Sequence, residues 1–130
     1  RHSAYYNNGC IVTGLYMKLQ QGDPAAIRAR MTELMGRRKD KQPLEYPSAG
    51  STFKRPEGYF AGALIEAAGL KGYRIGDAQV SELHAGFLIN RGQATASQIY
   101  ALMRHVQNTV YQASGVMLEP EVQLIGHFES

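Results

Sequence analysis

The sequence predicts an α+β fold in which helices pack against a small sheet. Two observations carry this: two segments repeat apolar residues at steps of three and four, and between them lie short runs rich in β-formers, punctuated by Gly, Pro, Asn and Asp. With 130 residues, 44% hydrophobic and 19% charged, the chain has enough material for one globular domain with a real core and too little for two.

The elements follow in order. Ile11 to Leu19 is rich in β-formers and lies between Asn7-Asn8-Gly9 and Gly22-Asp23-Pro24, which predicts a strand bounded by turns. Asp23-Pro24 is a helix start, because the carboxylate accepts from free amides and proline suits the first helical position. Ile27, Met31, Leu34 and Met35 then recur at helical spacing to about Gly36, as a core-facing stripe. The prolines of Gln42-Pro43-Leu44-Glu45-Tyr46-Pro47 enforce extended chain, a connector between structural units. After the stretch Pro47 to Pro56, Gly58 to Gly69 reads as a short helix closed by Gly69, and Lys71 to Gly76 is rich in turn residues. Ala78-Gln79-Val80 and Ala85 to Asn90 are short strands, and Ala96 to Ser114 is the longest helix. Its stripe is Ile99, Leu102, Met103, Val106 and Val110, with Thr95 as cap and Gly115 as stop; His105 lies at the stripe's edge. Val116 to Gly126 reads as extended strand interrupted at Pro120.

Composition removes several classes of function. No apolar run approaches the ~20 residues that span a bilayer. A single cysteine, Cys10, excludes an internal disulfide, fits a reducing compartment and reads as a small buried residue. The formal charge of +3 and pI near 9.1 suit an anionic partner, yet the only dense basic run is Arg37-Arg38-Lys39-Asp40-Lys41, without interleaved aromatics. No spacing matches a metal site, a phosphate-binding glycine loop or a Ser-His-Asp triad. The chain begins at Arg1 without the features of a signal peptide, and reads as a piece of something longer.

The stretch with chemical potential is Pro47-Ser48-Ala49-Gly50-Ser51-Thr52-Phe53-Lys54-Arg55-Pro56. Prolines at both ends predict a fixed loop, neither helix nor central strand; Gly50 lets the turn hold Ser51 outward, while Lys54 and Arg55 put positive charge beside it. A Ser/Gly turn without function has the same look. Arg38, near the end of the first helix, fits two roles: a charged cap favoured by the helix dipole, or a guanidinium clamp for phosphate or carboxylate. Glu121 by itself reads as a solvated edge carboxylate.

Taken together, the Pro47–Pro56 stretch, Leu64-Ile65-Glu66 with Gly69-Leu70-Lys71-Gly72, His84-Ala85-Gly86-Phe87 with Asn90, and Leu118-Glu119-Pro120-Glu121-Val122 with Ile125-Gly126 resemble the C-terminal half of the UDP-N-acetylenolpyruvoylglucosamine reductase family. Order and spacing match throughout, over essentially the whole chain, and Arg1-His2-Ser3 resembles that family's Tyr-Arg-x-Ser segment without its tyrosine.

The resemblance implies a small mixed sheet packed by helices in a substrate-binding C-terminal domain at 42–115, preceded at 1–41 by a remnant strand and helix of the flavin-binding domain. Residues 116–130 would be a strand returning toward that domain. It also implies a cytoplasmic bacterial oxidoreductase of cell-wall synthesis, in which NADPH reduces FAD and the flavin passes hydride to UDP-N-acetylglucosamine enolpyruvate, giving UDP-N-acetylmuramate. Ser51 matches the family's proton donor, and Arg1 and Glu121 match its pair beside the substrate carboxylate. Arg38 and Lys54 fall among the substrate-binding positions, as do Arg55 and His84, where another subtype has asparagine and glutamine. Gln123 departs from the arginine usual at its position. The short run from Gly69 to Val80 leaves no room for the tyrosine-bearing loop of the longer subtype, so the shorter subtype is expected. Most of the flavin site and the partner flavin-binding domain would lie outside the chain. A nucleotide-sugar binding module without flavin chemistry is the alternative; a nucleic-acid binder or a membrane protein is not expected.

Overall fold

The computed structural model of the chain describes Tyr5 and residues 8–128. Its contacts divide into two compact units, Arg1–Thr32 and Glu33–Ser130. The first helix, α1 (Pro24–Lys41), starts in one unit and ends in the other.

Within the first unit the Asp23 carboxylate accepts from the amides of Ala25 and Ala26 at 3.2 and 3.1 Å, so the predicted helix start is present. The expected strand over Ile11–Leu19 is not. That segment is irregular, and Ile11, Val12, Leu15, Tyr16, Met17 and Leu19 are exposed. β-propensity describes fit to a pleated, half-buried surface, and no strand among the described residues pairs with this one. Cys10, expected as buried, is exposed in the same segment. The stripe Ile27, Met31, Leu34, Met35 is likewise exposed, since α1 buries none of its residues. The helix also runs past Gly36. One interior glycine costs about 1 kcal/mol against alanine, too little to stop a helix followed by Arg37, Arg38, Lys39 and Lys41, which suit a helix C-terminus.

The second unit holds a four-stranded sheet in the order β1-β4-β3-β2, with β1 at Ser48–Ser51, β2 at Arg74–Ile75, β3 at Ala78–Val80 and β4 at Phe87–Asn90. The α+β class holds, but the expected mixed sheet is antiparallel throughout. Local connections explain this: Gly76-Asp77 turns β2 directly into β3, and the short segment 81–86 returns β3 to β4, both far shorter than a parallel crossover requires. Part of the expected loop is thus an edge strand, a position that tolerates the adjacent Pro47, whose carbonyl accepts from the Asn90 amide at 2.9 Å.

Two further helices close the core. α2 (Ala61–Ala67) ends in a Schellman motif, the amides of Gly69 and Leu70 bonding the carbonyls of Glu66 and Ile65 at 2.9 and 3.2 Å, with Gly69 at φ +72° and Leu70 and Ile65 both buried. α3 (Ala96–Ser114) starts with a full capping box between Thr95 and Gln98 and stops at left-handed Gly115. Leu102, Met103, Val106 and Val110 of α3 pack on Ala78, Val80 and Leu88 of the sheet, with Ile65, Phe53 and Leu118 completing the core. His105 sits at the edge of this stripe, stacked on Tyr73 with ring centroids 4.3 Å apart.

The expected C-terminal strand is reduced to one bridge, Phe53 opposite Pro120. Pro120 has no N–H to extend a ladder, so the chain makes only the bonds on either side of it. Leu118 is nonetheless fully buried in the core of the second unit. Among the described residues no helix is long and apolar enough to cross a membrane. Removing the side-chain cap with Thr95→Ala is expected to lower unfolding free energy by about 1 kcal/mol; chemical denaturation checks this, and an unchanged midpoint would count against the cap.

Candidate functional site

The exposed Ser51 is positioned by its buried neighbour Thr52. The pairing of β1 with β4 is irregular between Ser48 and Ser51. There the Thr52 hydroxyl takes the place of a main-chain acceptor and receives the Leu88 amide at 3.2 Å. The Thr52 amide donates to the Gly86 carbonyl at 2.9 Å, and its own carbonyl accepts from the Glu121 amide at 2.8 Å. One residue therefore joins β4, its preceding turn and the C-terminal segment. Gly50, at φ +84°, supplies the left-handed turn just before Ser51, as its sequence position suggested.

Glu121 thus lies across from Thr52, next along the chain to Ser51. The Lys54 amide bonds the Glu119 carbonyl at 2.8 Å and their side chains form an ion pair, so Lys54 is engaged with the same segment. From the other side of that segment, buried Gln107 donates through Nε2 to the Leu118 carbonyl at 2.8 Å. Arg55 folds over its own loop, with Nε 3.3 Å from the Tyr59 carbonyl and the guanidinium 3.9 Å above the Phe60 ring, a cation–π contact. Phe60 immediately precedes α2, where a Cβ added at Gly62 would crowd His84, and Gly86 near His84 carries the carbonyl that Thr52 binds. Ser51, Lys54, Arg55, His84 and Glu121 accordingly belong to one set of adjoining loops.

Two expected residues stand apart. Arg38 occupies the exposed last turn of α1, where its Nε donates to Gln42 Oε1 at 2.9 Å, the geometry of a local cap. Arg1 lies outside the described residues. Sequence reasoning passed over Thr52, Phe60, Gly62, Gly86 and Glu119. Phe60, an aromatic five residues after an arginine, and Gly86, two residues after His84, had local partners; Thr52, Gly62 and Glu119 act through partners distant in sequence.

A cleft of about 480 Å³ lies between β1, the N-terminal half of α3 and residues 122–128, bounded by Leu88, Tyr100, Met103 and Phe128. None of Ser51, Lys54, Arg55, His84 or Glu121 lines it. No charged side chain does either, so the cleft offers no Arg or Lys to pair with the pyrophosphate of a dinucleotide such as FAD. Among the described residues no three His, Cys, Asp or Glu side chains group as metal ligands.

Thr52→Val keeps the shape of the junction and deprives the buried Leu88 amide of its acceptor. A loss of about 1–3 kcal/mol in unfolding free energy at unchanged m-value is expected. A shift below about 0.5 kcal/mol, the range of inert surface changes, would contradict the junction.

Residues 42–125 match the family described as "UDP-N-acetylenolpyruvoylglucosamine reductase, C-terminal domain". The chain is 55% identical over 128 residues to the UDP-N-acetylenolpyruvoylglucosamine reductase of Agathobacter rectalis, an alignment spanning 98% of this chain and 41% of that protein. It is 56% identical over 126 residues to that of Clostridium novyi, spanning 97% and 41%. The crystal structure of UDP-N-acetylenolpyruvylglucosamine reductase from Thermus caldophilus superposes with a TM-score of 0.67 at 40% identity, over 82% of this chain and 37% of that one. The chain spans about two fifths of the length of the curated relatives it matches.

Proposed function

The chain belongs to the UDP-N-acetylenolpyruvoylglucosamine reductase family, matching its C-terminal domain, and we propose that it forms the substrate-binding and proton-donating part of a reductase converting UDP-N-acetylglucosamine enolpyruvate to UDP-N-acetylmuramate. The observation that supports this reading is the Thr52 junction, in which the residue after Ser51 accepts from the Glu121 amide. FAD, with NADPH as hydride source, belongs to the reading as the family's reducing cofactor, held outside the described residues. The reductase works in the bacterial cytoplasm, in peptidoglycan precursor synthesis.

The chemistry assigned to this chain is the second half of the reduction. Once hydride has added to C3 of the enolpyruvyl group, the electron pair of the former double bond lies at C2, delocalised into the carboxylate as an enolate-like anion. The Ser51 Oγ–H delivers its proton to C2, leaving an alkoxide that solvent reprotonates. A free hydroxyl is a weak acid, so the step depends on positioning and on charge nearby. Glu121, in the adjoining segment, serves the substrate carboxylate end as a protonated donor or by orienting one; Arg1 is assigned to the same end as the cation that offsets the developing charge. Arg55, Lys54 and His84 form the side that meets the anionic nucleotide sugar, and Arg38 joins them only if it leaves Gln42. A second reading is nucleotide-sugar binding without catalysis by this chain alone, and the uncharged lining of the cleft beside β1 and α3 is consistent with it.

Calorimetric titration of the chain with UDP-N-acetylglucosamine enolpyruvate and separately with FAD separates these assignments. Binding of the nucleotide sugar without FAD is the expected result; tight FAD binding would contradict the placement of the cofactor. In the complete reductase, Ser51→Ala is expected to lower kcat about 10²–10⁴-fold with KM little changed. Turnover near that of the parent would remove Ser51 from proton transfer.

A further inference from the structure

We propose that Gly62 and Gly86 make room for the His84 imidazole and the Gly86 amide orients it, so that it meets the nucleotide sugar as a donor through Nε2–H. This rests on the substrate reading above and goes beyond it by naming the donating atom and the residues that position it. Nδ1 is already used as an acceptor, receiving the Gly86 amide at 3.1 Å. In a neutral ring with an acceptor at Nδ1, the proton sits on Nε2. The ring lies where only glycine leaves space for it. A Cβ at Gly86 would fall 3.0 Å from Cε1 and 3.1 Å from Nδ1, and a Cβ at Gly62 would fall 3.2 Å from Cε1. Phe87 closes another side, edge to face at 5.0 Å. Beneath the ring the backbone is pinned too: the His84 amide donates to buried Ser81 Oγ at 3.2 Å, and its carbonyl accepts from Phe87 at 3.0 Å.

Such tight placement of an exposed side chain contributes little to a core, and Gly62 costs α2 helix propensity. What it provides is a preset donor, whose ordering cost is met before the ligand arrives. The position suits an anionic oxygen. Gly86 sits where its carbonyl binds Thr52, Phe87 pairs in register with Ser51, and the Arg55 guanidinium lies over Phe60 at the entrance to the helix that carries Gly62. Gly62 and Gly86 are therefore positioning residues acting through His84.

The test titrates the parent chain and three variants with UDP-N-acetylglucosamine enolpyruvate, with circular dichroism and thermal unfolding as fold controls. His84→Phe keeps a planar ring without donor or acceptor and is expected to weaken binding about tenfold. His84→Gln, whose amide offers one acceptor and one donor group, is expected to stay within about threefold of the parent. Gly62→Ala is expected to weaken binding nearly as much as His84→Phe while the histidine remains. Nitrogen NMR of the parent ring, which needs no variant to fold, is expected to report the proton on Nε2 in the neutral form. A neutral ring protonated on Nδ1, or a parent that binds while His84→Phe binds equally well, overturns the inference alone. A parent that binds no nucleotide sugar overturns the functional reading, and this ligand assignment with it.

Discussion

The site depends on one buried threonine. Thr52 bonds in three directions: through its hydroxyl to Leu88, its amide to Gly86 and its carbonyl to Glu121. A regular edge strand would have offered main-chain groups, and beside the irregular stretch of β1 the Leu88 amide instead donates to the Thr52 hydroxyl. The side chain fills the gap, and the free main-chain carbonyl captures a segment that has no ladder of its own. In this way a break in strand pairing becomes the place where three loops carrying polar side chains converge.

The captured segment is held mostly by burial and backbone. Leu118 is fully buried, Gln107 satisfies its carbonyl from within α3, and the amides of Lys54 and Glu121 flank the single bridge at Pro120. The Lys54–Glu119 ion pair adds little, because both side chains are about half exposed or more and such pairs contribute ~0–1 kcal/mol. The order of dependence therefore runs from α3, which builds the core, through Leu118 to Thr52 and finally to Ser51 and Glu121. Function sits at the exposed end of a chain of contacts whose other end is dry.

What was legible in the sequence were features with local causes. Asp23-Pro24, Thr95, Gly69 and Gly115 each act within a turn of their own position, and the structure has them all. The runs Ala78–Val80 and Phe87–Asn90 are short and mostly apolar, and both are central in the sheet. Ile11–Leu19 misled because strand propensity says nothing about whether a neighbouring strand exists, and Val116–Gly126 because a proline in its middle removes a donor. Ser51 stood out through Gly50, and Lys54 and Arg55 as charge beside it, while His84 and Glu121 drew functional meaning only from family resemblance. Thr52, Gly62 and Gly86 left no trace. The Thr52 hydroxyl mending a ladder, or the missing Cβ of Gly62 that clears a ring, is written in contacts between residues far apart in the chain.

The most direct measurement of this account is amide hydrogen exchange on the chain, residue by residue. If Thr52 anchors the C-terminal segment, the amides of Lys54, Leu88 and Glu121 exchange slowly, with protection approaching that of Val106 in α3. If Lys54 and Glu121 instead exchange as fast as exposed Leu15, residues 119–121 are not held against Thr52, and the proposed pairing of Ser51 with Glu121 loses its structural basis.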